Sequence, residues 1–167
     1  MSTTPSAKAT LPFIYRLIIL TIEPAFAVMG SMLVLSNPAM YAGSVTRHSV
    51  TFTPDTTFLY TGLGGAWLYF AFVEAVVLRL IDDLFLWRVL CFGMLFSDFL
   101  FLHSMAQAVG GWAIYSDLTG WTAEDWAGMA GTAPMVLTRI FIVLGIGFRR
   151  DKSLQGSKRK GSRCQLL

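Results

Sequence analysis

Apolar residues fall into four long blocks separated by shorter polar stretches, and block length decides what they are. The first block runs from about Leu11 to Leu35, the second from about Phe58 to Leu80, the third from about Leu84 to Val109 and the fourth from about Thr132 to Phe148. A helix rises 1.5 Å per residue, so crossing a hydrocarbon core of about 30 Å takes roughly 17–25 residues. All four blocks are at least that long. The fold class expected is all-α: an integral membrane four-helix bundle over residues 11–148, with spans at about 11–35, 58–80, 84–109 and 132–148.

The stretches between and around the blocks are polar. Residues 1–10 (MSTTPSAKAT) are small and polar and read as a disordered lead. Ser36–Thr57 is a loop with Pro38, His48, Pro54 and Asp55, and Asp82–Asp83 marks a tight turn. Gly110–Gly131 is a Trp- and Gly-rich loop containing GWTAEDWAG, and residues 149–167 read as a basic, disordered tail.

Composition sharpens this picture. The chain is 54% hydrophobic and only 14% charged, whereas a soluble domain carries about 25% charged residues. Seven of the 13 basic residues lie in 149–163, so the middle of the chain is more apolar than the totals suggest. Cys91 sits in an apolar block and Cys164 in the tail, which is no disulfide framework. There is no CxxC, HExxH or Gly-rich phosphate loop, so neither a metal nor a cofactor is expected, and no nucleic-acid partner either. Asn37 is followed by Pro-Ala and forms no glycosylation sequon. Lys8 and Arg16 before an apolar run, with Ala25-Phe26-Ala27 resembling a cleavage site, admit a signal peptide. The run continues well past Ala27, however, and Glu23-Pro24 would interrupt a signal core, so a retained anchor is expected.

Orientation follows from the basic residues near the span ends. With the N-terminus inside, the cytoplasmic face receives Lys8, Arg79, Arg88 and the seven basic residues of 149–163, against Arg47 alone on the far side. Both termini are therefore expected to be cytoplasmic, in a membrane taken to be the endoplasmic reticulum.

The candidate chemistry lies inside the spans. A charge at bilayer depth costs about 2.5–3.5 kcal/mol on insertion scales and normally faces the bundle interior. With span midpoints near residues 23, 69, 97 and 140, Glu23, Asp98 and Arg139 fall close to the midplane. Glu74 lies about 7 Å and Arg16 about 10 Å toward the cytoplasm, and His103 about 9 Å toward the far side. Arg16 and Glu23 share a helix face, as do His103 and Gln107. Depth matching predicts two pairings, Arg139 with Glu23 or Asp98, and Arg16 with Glu74. Three acids against two arginines then leave one carboxyl without a cation, expected to keep its proton and to serve as a general acid beside a carboxylate. The plainer reading is that Arg–Glu pairs lock helices together, that Arg16 or Glu74 snorkels toward headgroups, and that His103 bonds a neighbouring carbonyl.

Two peripheral segments have double readings as well. The aromatics of Trp112–Trp126 suit an interfacial belt, or a lid in which Glu124 or Asp125 closes over a lipophilic substrate. The tail suits anionic lipid headgroups and ends Cys164-Gln165-Leu166-Leu167, a prenylation pattern of the geranylgeranyl type.

The stretches LPFIYRLIILTIEP at 11–24, FVEAVVLRL at 72–80, FSDFLFLHS at 96–104 and the GW, GW and EDW elements of 111–126 carry a resemblance. Over about residues 11–148 the chain resembles small hydrophobic membrane proteins of filamentous-fungal secondary-metabolite gene clusters. These include the small epoxide hydrolases of aurovertin- and citreoviridin-type polyketide pathways. The membrane-bound terpene cyclases of meroterpenoid pathways, with about seven spans, are larger. The resemblance implies a step in which a buried carboxylic acid protonates an epoxide or olefin, and water, an internal hydroxyl or a π bond attacks. One of Glu23, Glu74 or Asp98 would donate the proton, another acid or His103 would orient or deprotonate the nucleophile, and Arg139 would keep the second carboxyl ionised. The function expected is a membrane enzyme acting on a lipophilic polyketide or terpenoid intermediate, its partners being that substrate, the lipid bilayer and other pathway enzymes in the same membrane. The alternatives are a non-catalytic lipid or sterol binder and an accessory membrane protein.

Overall fold

The computed structural model describes residues 5–149, and among them it contains helices and turns but no strand. A single helical turn, α1 (Ala7–Thr10), precedes the first long helix, α2 (Phe13–Ser36). The short α3 (Pro38–Val45) leads to the second and third long helices, α4 (Pro54–Leu80) and α5 (Leu84–Ala108). One further turn, α6 (Trp112–Tyr115), comes before the fourth long helix, α7 (Ala123–Leu144). The four long helices are each long and apolar enough to cross a membrane.

The helix boundaries follow from capping chemistry. The first N–H groups of a helix lack internal partners and are met by short polar side chains. Asn37 accepts from Met40 N (3.0 Å) and, with Pro38 at the first position, ends α2 and starts α3. Asp83 accepts from Leu86 N (3.1 Å) and starts α5 directly after the expected turn. The fourth helix corrects the reading of 110–131 as loop. Thr122 and Asp125 form a reciprocal capping box, so α7 begins at Ala123, nine residues before Thr132. The polar EDW triplet is thus a first helical turn, where carboxylates also suit the helix dipole. At the other end Gly145 adopts the left-handed conformation (φ 75°), and α7 stops at Leu144 rather than Phe148. The second span is likewise extended at its start, to Pro54.

The lead is a second correction. Residues 5–10, expected as disordered, are held to the rest of the chain. Asp82 accepts from Ser6 Oγ (2.7 Å) and from Lys8 N (2.7 Å). Leu84 N donates to Pro5 O (3.0 Å), and Arg149 N donates to Thr10 O (2.9 Å). Ala7 and Leu11 are fully buried in a cluster with Ile19, Leu78, Trp87, Cys91 and Ile142. A polar composition hid this segment because its two apolar side chains are enough to dock it once Asp82 satisfies its backbone. Residues 1–4 and 150–167, with most of the basic tail and the Cys164 motif, lie outside the described residues.

The long helices associate in two pairs. α2 packs most extensively on α4, and α5 on α7. Small residues let the first pair approach, as is usual where lipid removes the hydrophobic drive between helices. A Cβ on Gly30 would lie 2.9 Å from the Trp67 ring, and Ser31 Oγ donates to Gly64 O (2.9 Å) in the same seam. The pairs close on the buried cluster at the end carrying α1 and the 81–83 turn. Farther along, between the pairs, lies a cavity.

The clasp at Asp82 makes a pH prediction. The bonds from Ser6 and Lys8 hold its carboxyl below the usual carboxylate range. A carboxyl depressed in the folded state adds stability above its unfolded pKa, and that stability is lost as pH falls through the folded value. Amide protection at Lys8 and Ala9 should therefore be present at neutral pH, decline as pH drops below about 4, and be missing at all pH values in Asp82→Ala. Undiminished protection in the variant would contradict the clasp.

Candidate functional site

Two irregular helical turns bring the acids into position. Residues Ile18–Ile22 of α2 and Val73–Val77 of α4 are π-helical, with one extra residue in the turn, and such turns often mark functional positions. Pro24, directly after Glu23, has no N–H to offer the carbonyl one turn earlier. That carbonyl, Leu20 O, instead accepts from Arg79 Nη2 of α4 (2.6 Å), which also reaches Thr21 Oγ1 (3.1 Å). Glu23 follows the first π-turn and Glu74 lies inside the second, and the two turns pack against each other. Both carboxyls thereby face α7.

Glu23, Glu74 and Asp98 converge on one guanidinium. Arg139 Nη2 donates to Glu74 Oε1 (2.5 Å) and lies 2.5 Å from Glu23 Oε1. Arg139 Nη1 donates to both carboxylate oxygens of Asp98. The Glu74 side chain is fully buried, Arg139 is 3% exposed, and Glu23 and Asp98 retain 12% and 16%. Four helices are tied at one point, one residue from each. The pairing is incomplete in a specific way: among the described residues, Glu23 Oε2, Glu74 Oε2 and Arg139 Nε are buried and have no hydrogen-bond partner. A buried polar atom left unpaired costs about 1–3 kcal/mol, so each is a position where a ligand atom or water would be welcome.

The cluster forms the floor of a cavity of about 230 Å³. Phe26, Trp67, Phe70 and Phe101 supply aromatic walls, and Ala127, Gly128 and Gly131 of α7 line another side. Apolar walls with a few convergent polar groups at one end are the usual form of a small-molecule site.

The expected site residues are partly assembled. Glu23, Glu74, Asp98 and Arg139 come together, but the expected partition between two arginines does not occur. Glu74 pairs with Arg139 rather than Arg16, and Arg16 Nε is buried without a hydrogen-bond partner among the described residues. No carboxyl of the three lacks a cation; one cation serves all three. Depth matching misplaced Arg16 because it measures height along the bundle and not the face each residue presents. His103 stands apart from the acids. It is exposed, stacks on Trp112 and accepts from Trp112 Nε1 (3.1 Å). Asp125, considered as part of a lid, is instead buried, capping α7 and pairing with Arg47 Nε (2.8 Å). Sequence reasoning missed Trp67 and the Gly128 and Gly131 wall. The small-residue run AGMAG at 127–131 was the available signal, hidden by its assignment to a loop.

Residues 8–149 match a family described as a domain of unknown function, DUF7704, and the chain belongs to that family. Comparison with curated proteins and with solved structures finds no match.

Arg139 has the largest predicted structural effect. Removing one partner of a buried ion cluster costs about 3–5 kcal/mol, since uncompensated charge remains. Arg139→Leu should lower the unfolding midpoint in detergent sharply, and combining it with Glu23→Gln, Glu74→Gln and Asp98→Asn should recover much of the loss. A single Arg139→Leu variant as stable as the parent would show that the cluster is not holding the helices.

Proposed function

We propose that this chain is an integral, multi-pass membrane enzyme that opens an epoxide in a lipophilic intermediate by acid catalysis. The observation that carries this reading is the convergence of Glu23, Glu74 and Asp98 on Arg139 beside an aromatic-walled cavity that all four residues line. Asp98, engaged by Arg139 through both oxygens, is the natural counter-ion to the guanidinium. Glu23 and Glu74 then share the remaining work. A single proton held between them makes one a donor and the other an acceptor, the acid and base pair that the reaction needs.

In the proposed step the protonated glutamic acid gives its proton to the epoxide oxygen as that C–O bond breaks. Water, or a hydroxyl of the substrate itself, attacks the carbon, and its proton passes to the other glutamate. The products are a diol or a cyclic ether alcohol, and the pair ends with one proton, as it began. Phe26, Trp67, Phe70 and Phe101 would hold the hydrocarbon part and keep bulk water from the reacting carbon. His103, expected as a helper, has no part in this step.

The resemblance to proteins of fungal secondary-metabolite clusters supports a polyketide or terpenoid epoxide as the proposed substrate, with other enzymes of such a pathway as proposed partners in the same membrane. The basic residues at one end of the bundle favour cytoplasmic termini, and the endoplasmic reticulum is the proposed membrane. The acids lining the cavity would equally anchor the hydroxyl or amine of a bound lipid, and binding without turnover would favour that second reading.

Microsomes containing the chain, fed a polyene epoxide or its isoprenoid counterpart, test the proposal. Glu74→Gln and Glu23→Gln should each lower turnover about 10²-fold or more, the usual worth of a general acid or base. Unchanged turnover in both would remove the glutamates from the mechanism.

A further inference from the structure

The cavity has an open flank, and its position tells how a ligand would reach the acids. Among its lining residues, Ala127 and Gly128 of α7 are exposed, and Phe26 of α2 is 49% exposed, while Glu74 at the floor is fully buried. The exposed side is therefore the seam between α2 and α7. Nothing lies within 4 Å of where a Gly128 Cβ would be, and Phe26 ring atoms lie 3.6 Å from the corresponding point on Gly131. Gly128 is five residues into α7 and so lies within the apolar length of the helix. Arg139 is eleven residues farther along the same helix, about 17 Å.

We propose that this seam is a lateral portal opening on the bilayer, framed by Phe26, Gly128 and Gly131, which admits a slender single-chain amphiphile with a hydrogen-bonding oxygen at its head. The proposal rests on the reading of the cavity as a binding site and adds the route and the shape of its occupant. The volume of about 230 Å³ lies below the usual 300–1,000 Å³ of sites that enclose drug-sized molecules. It suits an oxygen head and the first part of one chain, with the remainder left in lipid. The head would meet the acid cluster through Glu23 and Asp98, which line the cavity and keep 12% and 16% of their side chains exposed, with Glu74 buried behind them. A broad ring system would collide with Phe26, which closes on Gly131. Gly128 and Gly131 are then specificity residues, setting the girth that can pass.

Photolabelling of the full chain in phosphatidylcholine vesicles with a diazirine-bearing dodecanol tests this. In the parent protein the label should fall on peptides containing Phe26 and the 123–135 stretch, and unmodified dodecanol should compete. Gly128→Phe adds its ring in open space, so the fold should be kept while labelling inside the seam drops several-fold. Leu137→Phe, on the exposed face of the same helix, should leave labelling unchanged, and Phe26→Ala should raise it. Labelling confined to outward residues such as Met29 and Leu137, or labelling of the seam indifferent to Gly128→Phe, would overturn the portal. The readout is binding, so loss of turnover with seam labelling retained would count against the catalytic reading and leave the portal standing.

Discussion

One guanidinium bears the electrostatic load of this molecule. Inside an apolar bundle, three carboxyls from three helices would each be intolerable alone, and Arg139 from the fourth helix reconciles them. The arrangement is directional as well as attractive, because a planar fork must meet Asp98 on one nitrogen and Glu74 and Glu23 on the other. Helix register, rotation and relative height are all constrained by that geometry. What hydrophobic packing alone does not specify between uniformly apolar helices, a single buried charge cluster does.

The irregularities of the backbone make sense as consequences. A regular helix at Glu23 followed by Pro24 would leave Leu20 O without a donor; the π-turn and Arg79 resolve this and turn Glu23 toward the interior. A second π-turn on α4 does the same for Glu74. The tight glycine and serine seam of α2 with α4 then forms one rigid pair and α5 with α7 another. Because the pairs are closed by the Leu78, Trp87 and Ile142 cluster at one end, the space above the acids stays open between them. The same architecture that holds the charges thus leaves a cavity beside them.

Much of the fold could be read from the chain. Length and apolarity alone located four helices, and the 82–83 turn was plain from its paired aspartates. Depth along each block also groups Glu23, Asp98 and Arg139 near one level, but it sets Glu74 with Arg16, whereas Glu74 meets Arg139. The failures share a cause: composition was allowed to stand for structure. A small polar lead predicts disorder, whereas Ala7 is buried and Asp82 holds Ser6 and Lys8; Thr122-Ala-Glu-Asp125 reads by composition as loop, whereas it is a capping box. That second error hid the wall built by Gly128 and Gly131. Arg16 and His103 were misassigned because height does not reveal rotation, and rotation in α2 is altered by a π-turn that no periodicity announces. The chemistry drawn from resemblance concerns the acids, and the geometry is compatible with it because they meet beside a cavity.

The central claim is that a single arginine gathers three carboxyls from three helices. Solid-state NMR on the chain in bilayers, with ¹⁵N in the Arg139 guanidinium and ¹³C in carboxyl groups, measures this directly. The account predicts strong nitrogen–carbon dipolar couplings from Arg139 to Glu23, Glu74 and Asp98 together, each abolished by the matching Gln or Asn substitution. Coupling to one carboxyl only, or to lipid ³¹P in place of the acids, would contradict it.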